Sequence, residues 1–348
     1  MPKPLPIRFP RDEQAHECSI EWWYWNGQLR DARGNEYAYM ECLFKADRKA
    51  VQIPMLSKFP VDTIYFRHGL LCDLRRKKSY PVVSNYVLTS ADSFTKPLLF
   101  VNYAEPSLTT YVNCVMEQHA ADRYHVKTEQ IDLTLHSERK PLLVGGKGFI
   151  TVGEKKDTYY YSLPRLRTSG TILIEGKSVA VSGLSWMDHQ WADVQYTRDK
   201  WTWFCLQLDD GTDILCFAFG PTGGRCHATI GFANGRQETA DDVRITAGER
   251  SWKSPLTLAE YPLSWRIEIP GRNIDLQIET VLDEQELLFT TINYWEGPIR
   301  VTGTNGKKKV RGRGFLELVG YPSKFGNIRY AKSEVRKMTR LLRSFIRK

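Results

Sequence analysis

An alternation of apolar and polar side chains, two residues in period, runs through most of this chain and commits it to antiparallel sheet. Tyr37-Ala38-Tyr39-Met40-Glu41-Cys42-Leu43-Phe44 is one such run, and residues 109–115 are another. Residues 131–136, 263–269 and 274–279 alternate cleanly. Successive side chains of a strand point to opposite faces, so the pattern buries one face and wets the other. Asp210-Gly211, Asn234-Gly235 and Asn305-Gly306 supply hairpin turns between runs. No helical period of useful length precedes residue 330. Many short strands with tight turns predict an all-β fold of sandwiches or barrels.

A weak internal repeat divides the 348 residues. The first copy reads Trp23-Tyr24-Trp25, Gln28-Leu29, a turn at Gly34, then alternation to Phe44. The second reads Trp201-Thr202-Trp203, Gln207-Leu208, a turn at Gly211, then alternation to Phe219. Later come Gly176 to Val181-Ser182-Gly183 and Gly297 to Val301-Thr302-Gly303. Copies this far apart predict two similar domains rather than a solenoid. The division is placed near residue 195, giving domains 1–195 and 196–323 and a tail 324–348.

Apolar residues make up 42% of the chain, enough for a sizeable core. Net charge is +9, but residues 324–348 hold nine Lys/Arg against one acid, Glu334. The body is therefore close to neutral, which argues against a nucleic-acid partner. The N-terminus lacks the apolar stretch of a secretory signal, and no window suits a membrane span. Seven dispersed cysteines without a C-x-x-C pair read as reduced, buried thiols in a cytoplasmic protein. The histidines show no metal spacing. Phosphate-binding glycine motifs and a G-x-S-x-G elbow are missing, so no cofactor is expected and a hydrolase reading lacks a nucleophile.

Five ordered motifs carry a family resemblance: Glu21-Trp22-Trp23-Tyr24-Trp25-Asn26-Gly27, residues 159–166 (YYYSLPRL), residues 183–191 (GLSWMDHQW), Tyr294-Trp295-Glu296-Gly297, and residues 314–321 (GFLELVGY). Together they resemble the AttH-like and carotenoid 1,2-hydratase (hydroxyneurosporene synthase) family. The resemblance implies two tandem lipocalin-like β-barrels and an extended apolar substrate, held in a cavity at or between them. Known members include hydratases of isoprenoid double bonds, a hydratase of a prenylated flavonoid, and pericyclases that fold polyenes. The carotenoid branch carries His-x-Trp before the central proline, where this chain has Tyr160-Tyr161-Ser162. That branch also has a Tyr two residues before its catalytic acid, where this chain has Trp186. Asp188 alone matches the acid.

Hydrating an alkene needs an acid able to protonate carbon. A carboxyl in an apolar pocket keeps its proton, and aromatic faces stabilise the cation that forms. Asp188, near Trp186, Trp191 and His189, is the candidate proton donor, and His189 the candidate partner that orients or reprotonates it. Neighbours in a strand face opposite ways, so both can reach one cavity only if a turn interrupts the stretch. Tyr160, Tyr24, Trp23 and Glu21 complete the candidate substrate-binding set; core packing is the competing account of the aromatics, and structural pairing with an Arg or a Trp is the favoured account of Glu21 and Glu317. Trp22, Trp23 and Trp25 are too closely spaced to share one face. The chain is read as a cofactor-independent hydratase or cyclase of a large apolar isoprenoid or polyene. The alternative is a lipocalin-like carrier in which Asp188 is hydrogen-bonded and turned away.

In the tail, Ser333 is a candidate helix cap. Val335, Met338, Leu341, Leu342 and Phe345 share one face, with Arg336, Lys337, Arg340, Arg343 and Arg347 mostly on the others. Two readings fit residues 333–348: peripheral contact with the inner membrane, or a helix docked on the body with a solvated basic face.

Overall fold

The computed structural model describes residues 4–47, 62–84, 87–89, 99–106, 111–153, 156–194, 199–220, 225–289 and 292–346. The start of the 109–115 run and the division near residue 195 lie outside the described residues. The alternating runs form strands that pair antiparallel into two large sheets. A thirteen-stranded sheet uses strands between Ile20 and Ala192, and a ten-stranded sheet uses strands between Trp201 and Val319. Each curls round its own apolar core as a lipocalin-like barrel.

The same four-strand spine recurs in both. In the first sheet the order is Glu36–Asp47, Ile20–Arg30, Lys177–Ala192, Lys156–Ile174; in the second it is Asp213–Phe219, Trp201–Leu208, Lys308–Val319, Ile292–Asn305. Tyr24 lies between Cys42 and Asp188, and Trp203 lies between Phe217 and Glu317. Gln28 therefore matches Gln207, Trp22 matches Trp201, and Tyr24 matches Trp203. The aromatic triplets of the sequence repeat thus align one residue away from the register expected of them. Likewise Gly303 corresponds to Gly170, not to Gly183. Both lie against a neighbouring strand, where an added Cβ would sit 2.1 Å from the carbonyl oxygen of Asp275 or of Asp132. That approach explains why only glycine fits there.

Three apolar layers result. One fills the first barrel with Trp23, Trp25, Tyr39, Tyr124 and Tyr161 among others; one fills the second around Phe204, Trp265, Ile278 and Trp295. The third lies where the outer faces of the two sheets meet, and includes Tyr24, Met40, Tyr160, Trp186, Trp203, Leu215 and Phe315. Both faces of the Ile20–Arg30 strand are consequently covered. Trp23 and Trp25 do share a face, toward the first barrel, whereas Trp22 points to the other layer. The two matched glutamines pin this layer reciprocally. Gln28 Nε2 donates to the carbonyls of Ile299 (3.2 Å) and Gly314 (3.0 Å), and Gln207 Nε2 donates to those of Pro164 (2.8 Å) and Ser185 (2.9 Å).

All seven cysteines are free thiols and five are buried. The C-terminal helix spans Lys324–Ile346, beginning well before Ser333. Ser323 Oγ accepts the backbone N–H of Gly326 at 3.0 Å and so caps it, while Ser333 sits inside the helix and donates to the carbonyl of Tyr330. The first turns are too polar to show a helical period, which hides this start in the sequence. The side chains of Lys337, Met338, Arg340, Leu341, Leu342, Arg343 and Phe345, and residue Arg347, lie outside the described residues. Among the described residues no helix is long and apolar enough to cross a membrane.

Candidate active site

Between the two sheets, the middle layer opens into a cavity of about 170 Å³. It lies among residues of the middle layer, on the outer faces of the barrels, rather than among those of either barrel core. Its rim is aromatic and half-buried: Ile20, Trp22, Phe44, Ile150, Trp201 and Phe219. Its floor carries the polar groups Asp188, Tyr160, Tyr24, His68, Tyr294 and Glu317, set among Cys42, Trp203 and Phe217. Strand alternation makes this gradient. Ile20, Trp22 and Tyr24 descend one strand at two-residue steps, as Trp201 and Trp203 descend its counterpart.

Asp188 is held on both oxygens. Trp186 Nε1 donates to Oδ1 at 2.7 Å and the Tyr160 hydroxyl donates to Oδ2 at 2.8 Å. Trp203 Nε1, from the second sheet, donates to the Tyr160 oxygen at 2.8 Å. Burial pushes the Asp188 carboxyl up to about 7, against the downward pull of these hydrogen bonds.

A second acidic centre faces it. Glu317 is matched by cross-strand register with Glu296. Trp201 Nε1 donates to Glu317 Oε1 at 2.6 Å, and Tyr24, from the first sheet, donates to Glu296 Oε1 at 2.8 Å. Among the described residues Glu296 Oε2 has no hydrogen-bond partner, and the Glu296 and Glu317 side chains interact across the strand pair. A proton on Glu296, donated to Glu317, satisfies both groups. Burial raises Glu296 well above the usual carboxylate range and lifts Glu317 to about 7. His68, whose Nδ1 lies 2.6 Å from the Tyr294 hydroxyl, is pushed down to about 3 by burial and by Arg67, so its imidazole is neutral.

Of the residues singled out from the sequence, Asp188, Tyr160 and Tyr24 line the cavity. Trp186 lies in the same layer and anchors Asp188. His189, Trp191, Trp23 and Glu21 do not reach it. The Lys177–Ala192 strand runs on through Asp188 and His189 without a turn, so His189 faces the first barrel's core. There His189 Nε2 meets Glu21 Oε1 at 2.9 Å and the ring stacks on Trp23; Trp191 stacks on His16 and Tyr159. The pairing of His189 with Asp188 is thereby excluded. Glu317, expected to pair with an Arg or a Trp for structure, does accept from Trp201 Nε1 and also lines the cavity, whereas Glu296, His68 and Tyr294 are not singled out as site residues by the sequence.

His16, Glu21 and His189 bring ligand-type atoms within 4.8 Å of one another, a grouping their spacing does not announce. Glu21 is already surrounded by donors: His16 Nδ1 at 2.7 Å, the His16 backbone N–H at 2.9 Å and Lys45 Nζ at 3.3 Å. Although burial acts to raise it, hydrogen bonds from His16 and His189 hold Glu21 down at about 2. The trio is a satisfied hydrogen-bonded cluster that, with the Lys45 cation, fastens the N-terminal segment to the first barrel.

Fold and site thus define a two-barrel protein with a carboxyl-floored apolar cavity between its halves. The chain belongs to the AttH-like family, whose model matches residues 1–321. It is 28% identical over 200 residues to kievitone hydratase of Fusarium solani subsp. phaseoli, covering 54% of this chain and 56% of that protein. It is 26% identical over 200 residues to the dehydratase asqC of Emericella nidulans, covering 54% and 53%. These matches span about half the length of those curated relatives. The crystal structure of a protein from Nitrosomonas europaea described as AttH superposes with a TM-score of 0.71 at 26% identity, covering 92% of this chain and 98% of that one.

Proposed function

We propose that this protein is a cofactor-independent hydro-lyase whose substrate places one apolar arm in the interface cavity, with Asp188 as the proton donor. The observation that carries the reading is a carboxyl held toward its neutral form at the floor of an apolar cavity. The similarity to a named hydratase and a named dehydratase supports it, since the two names describe opposite directions of one chemistry. The cavity is close in size to the engineered apolar cavity of about 150 Å³ that binds benzene. It therefore suits a ring or a prenyl group, with the rest of the molecule against the aromatic rim.

In the hydration direction, the alkene π pair takes the Asp188 proton and forms the new C–H bond. The cation left on the more substituted carbon faces Tyr24 and Trp203. Water attacks that carbon, and the Glu317 carboxylate accepts the proton released as the C–O bond forms. Alkene plus water gives alcohol, and proton return from Glu317 to Asp188 through solvent resets the site. Dehydration runs the same steps backwards. Cation-driven cyclisation would use the same donor. A carotenoid substrate has no support beyond the shared family.

A carrier function is the second reading, favoured by one observation: both Asp188 oxygens are already hydrogen-bonded. The test is turnover of prenylated flavonoids and of tertiary allylic alcohols in heavy-oxygen water, read by mass spectrometry. Wild-type protein is expected to install or exchange the label, and Asp188→Asn to lose roughly 100-fold or more. Equal turnover by both proteins would remove Asp188 as the donor. Tight binding of these compounds without any exchange would favour the carrier.

A further inference from the structure

The outward face of the C-terminal helix carries a pattern the cavity chemistry does not use. Among the described side chains of its first thirteen residues, the exposed ones are Lys324, Phe325, Ile328, Arg329, Lys332, Val335 and Arg336. At helical spacing they form one face, in which three apolar side chains lie among four cations. Phe325 is 70% exposed, Val335 60% and Ile328 40%. The opposite face is docked: Gly326 is buried against the Thr257 carbonyl, and Asn327 Oδ1 accepts from Asn293 Nδ2 at 2.8 Å. No acid is among the described exposed side chains, and the side chain of Glu334 lies outside the described residues.

Large apolar side chains left in water beside a cluster of cations match the interfacial region of an anionic bilayer, where the apolar side chains enter the headgroup boundary and the cations meet lipid phosphates. The position of the helix supports that partner over an acidic protein. It starts just after Val319, which lines the cavity, and its first turn is held by Asn293, the neighbour of the cavity residue Tyr294. The helix therefore starts beside the end of the sheet where Val319 pairs with the rim residue Trp201. We propose that residues 324–336 dock the protein on an anionic membrane surface, so that the cavity loads a lipophilic substrate from the bilayer. Loading rests on the apolar-substrate reading above; docking does not.

The test is co-flotation of the full-length protein with phosphatidylcholine vesicles, with and without phosphatidylglycerol. Wild-type protein is expected to float with the anionic vesicles alone, and added salt to release it. Arg329→Glu, Lys332→Glu and Arg336→Glu combined should cut the partition coefficient at least about 100-fold, at roughly fivefold per cation lost. Phe325→Ser with Ile328→Ser should weaken it as well. Both sets alter exposed side chains, and unchanged thermal unfolding checks the fold. Vesicle binding equal in wild type and the charge-reversed protein would overturn the proposal. So would wild-type binding to polyglutamate but not to anionic vesicles, which would make an acidic protein the partner. Turnover of a micelle-free, water-soluble substrate by the charge-reversed protein separates loss of docking from failure of the hydro-lyase reading.

Discussion

Asp188 and Glu317 occupy the same position in two copies of one structural unit. Asp188 stands opposite Tyr24, and Glu317 opposite Trp203, in strand pairs of matching register. The outer faces of the two copies meet, so each contributes one carboxyl to the floor of a shared cavity. Each carboxyl centre is also held from the other sheet, Glu296 by Tyr24 and Asp188 through Tyr160 by Trp203. The proposed donor and acceptor of the proton thus come from corresponding positions of the two units, one an aspartate and the other a glutamate.

Glu317→Gln should lower turnover about 100-fold or more while leaving substrate binding nearly intact, because it removes the group that accepts the water proton. Glu296→Gln should cost less, since Gln can still donate to Glu317 and accept from Tyr24. Steady-state kcat and KM of both variants check this. A Glu317→Gln protein with wild-type kcat would leave Glu317 as a wall residue only.

Turnover should peak near neutral pH. Asp188 must be protonated to donate, so activity falls as pH rises through about 7. Glu317 must be ionised to accept, so activity falls as pH drops below about 7. The two limbs belong to the interacting carboxyls jointly. In Glu317→Gln the acidic limb should disappear from the residual rate, and its persistence would assign that limb to another group.

The same burial gives a stability signature of definite sign. The folded Asp188 value lies above the unfolded one, so the native state holds the extra proton. Stability from that proton is complete at low pH and is lost as pH rises from roughly 4 through 7. Glu13, which burial raises to about 8, adds a slope of the same sign. Asp188→Asn should therefore unfold at a higher temperature than wild type above about pH 8, and lose that advantage in acid. Thermal melts across pH check it, and equal slopes in the two proteins would place the ionisation elsewhere.

Much of this architecture is legible in the residues, and the limits are physical. Period-two alternation marks strands wherever one face meets water, as in residues 131–136 and 274–279. It vanishes in Glu21-Trp22-Trp23-Tyr24-Trp25, where both faces are covered, and the cavity lies along that strand. The opposed directions of Asp188 and His189 follow from strand geometry alone once no turn intervenes. Glu317 carries a signal of its own, a single acid inside Phe315-Leu316-Glu317-Leu318-Val319. Its partner is not readable, because pairing with Glu296 depends on register set far away. The repeat was visible in Gln28 and Gln207, yet tryptophan abundance drew its alignment off by one.

Glu21→Gln should separate support from chemistry. It removes the anion shared by His16, His189 and Lys45, leaving buried donors with a weaker partner. Breaking a buried ion cluster of this kind costs about 3–5 kcal/mol. Because Glu21 faces the first barrel, kcat of the folded fraction should stay near wild type. Urea unfolding and active-site-normalised turnover test the two halves of this expectation. A large fall in kcat at unchanged stability would return Glu21 to the reacting site.

The reciprocal glutamines allow the pairing of the barrels to be tested apart from the cavity. Gln207→Ala strands the carbonyls of Pro164 and Ser185, and Gln28→Ala strands those of Ile299 and Gly314. Each change should cost about 1–3 kcal/mol of stability. The two side chains serve different carbonyls, so their direct coupling is weak. If the barrels unfold as one unit, both losses appear in a single transition and add in the double variant. If the barrels separate before either melts, the double variant shows a low-denaturant phase that exposes Trp186 and Trp203 while both barrel cores stay intact. Tryptophan fluorescence against far-ultraviolet dichroism distinguishes these courses. Wild-type stability in either single variant would mean that the apolar layer, not the glutamine bonds, holds the cavity walls in place.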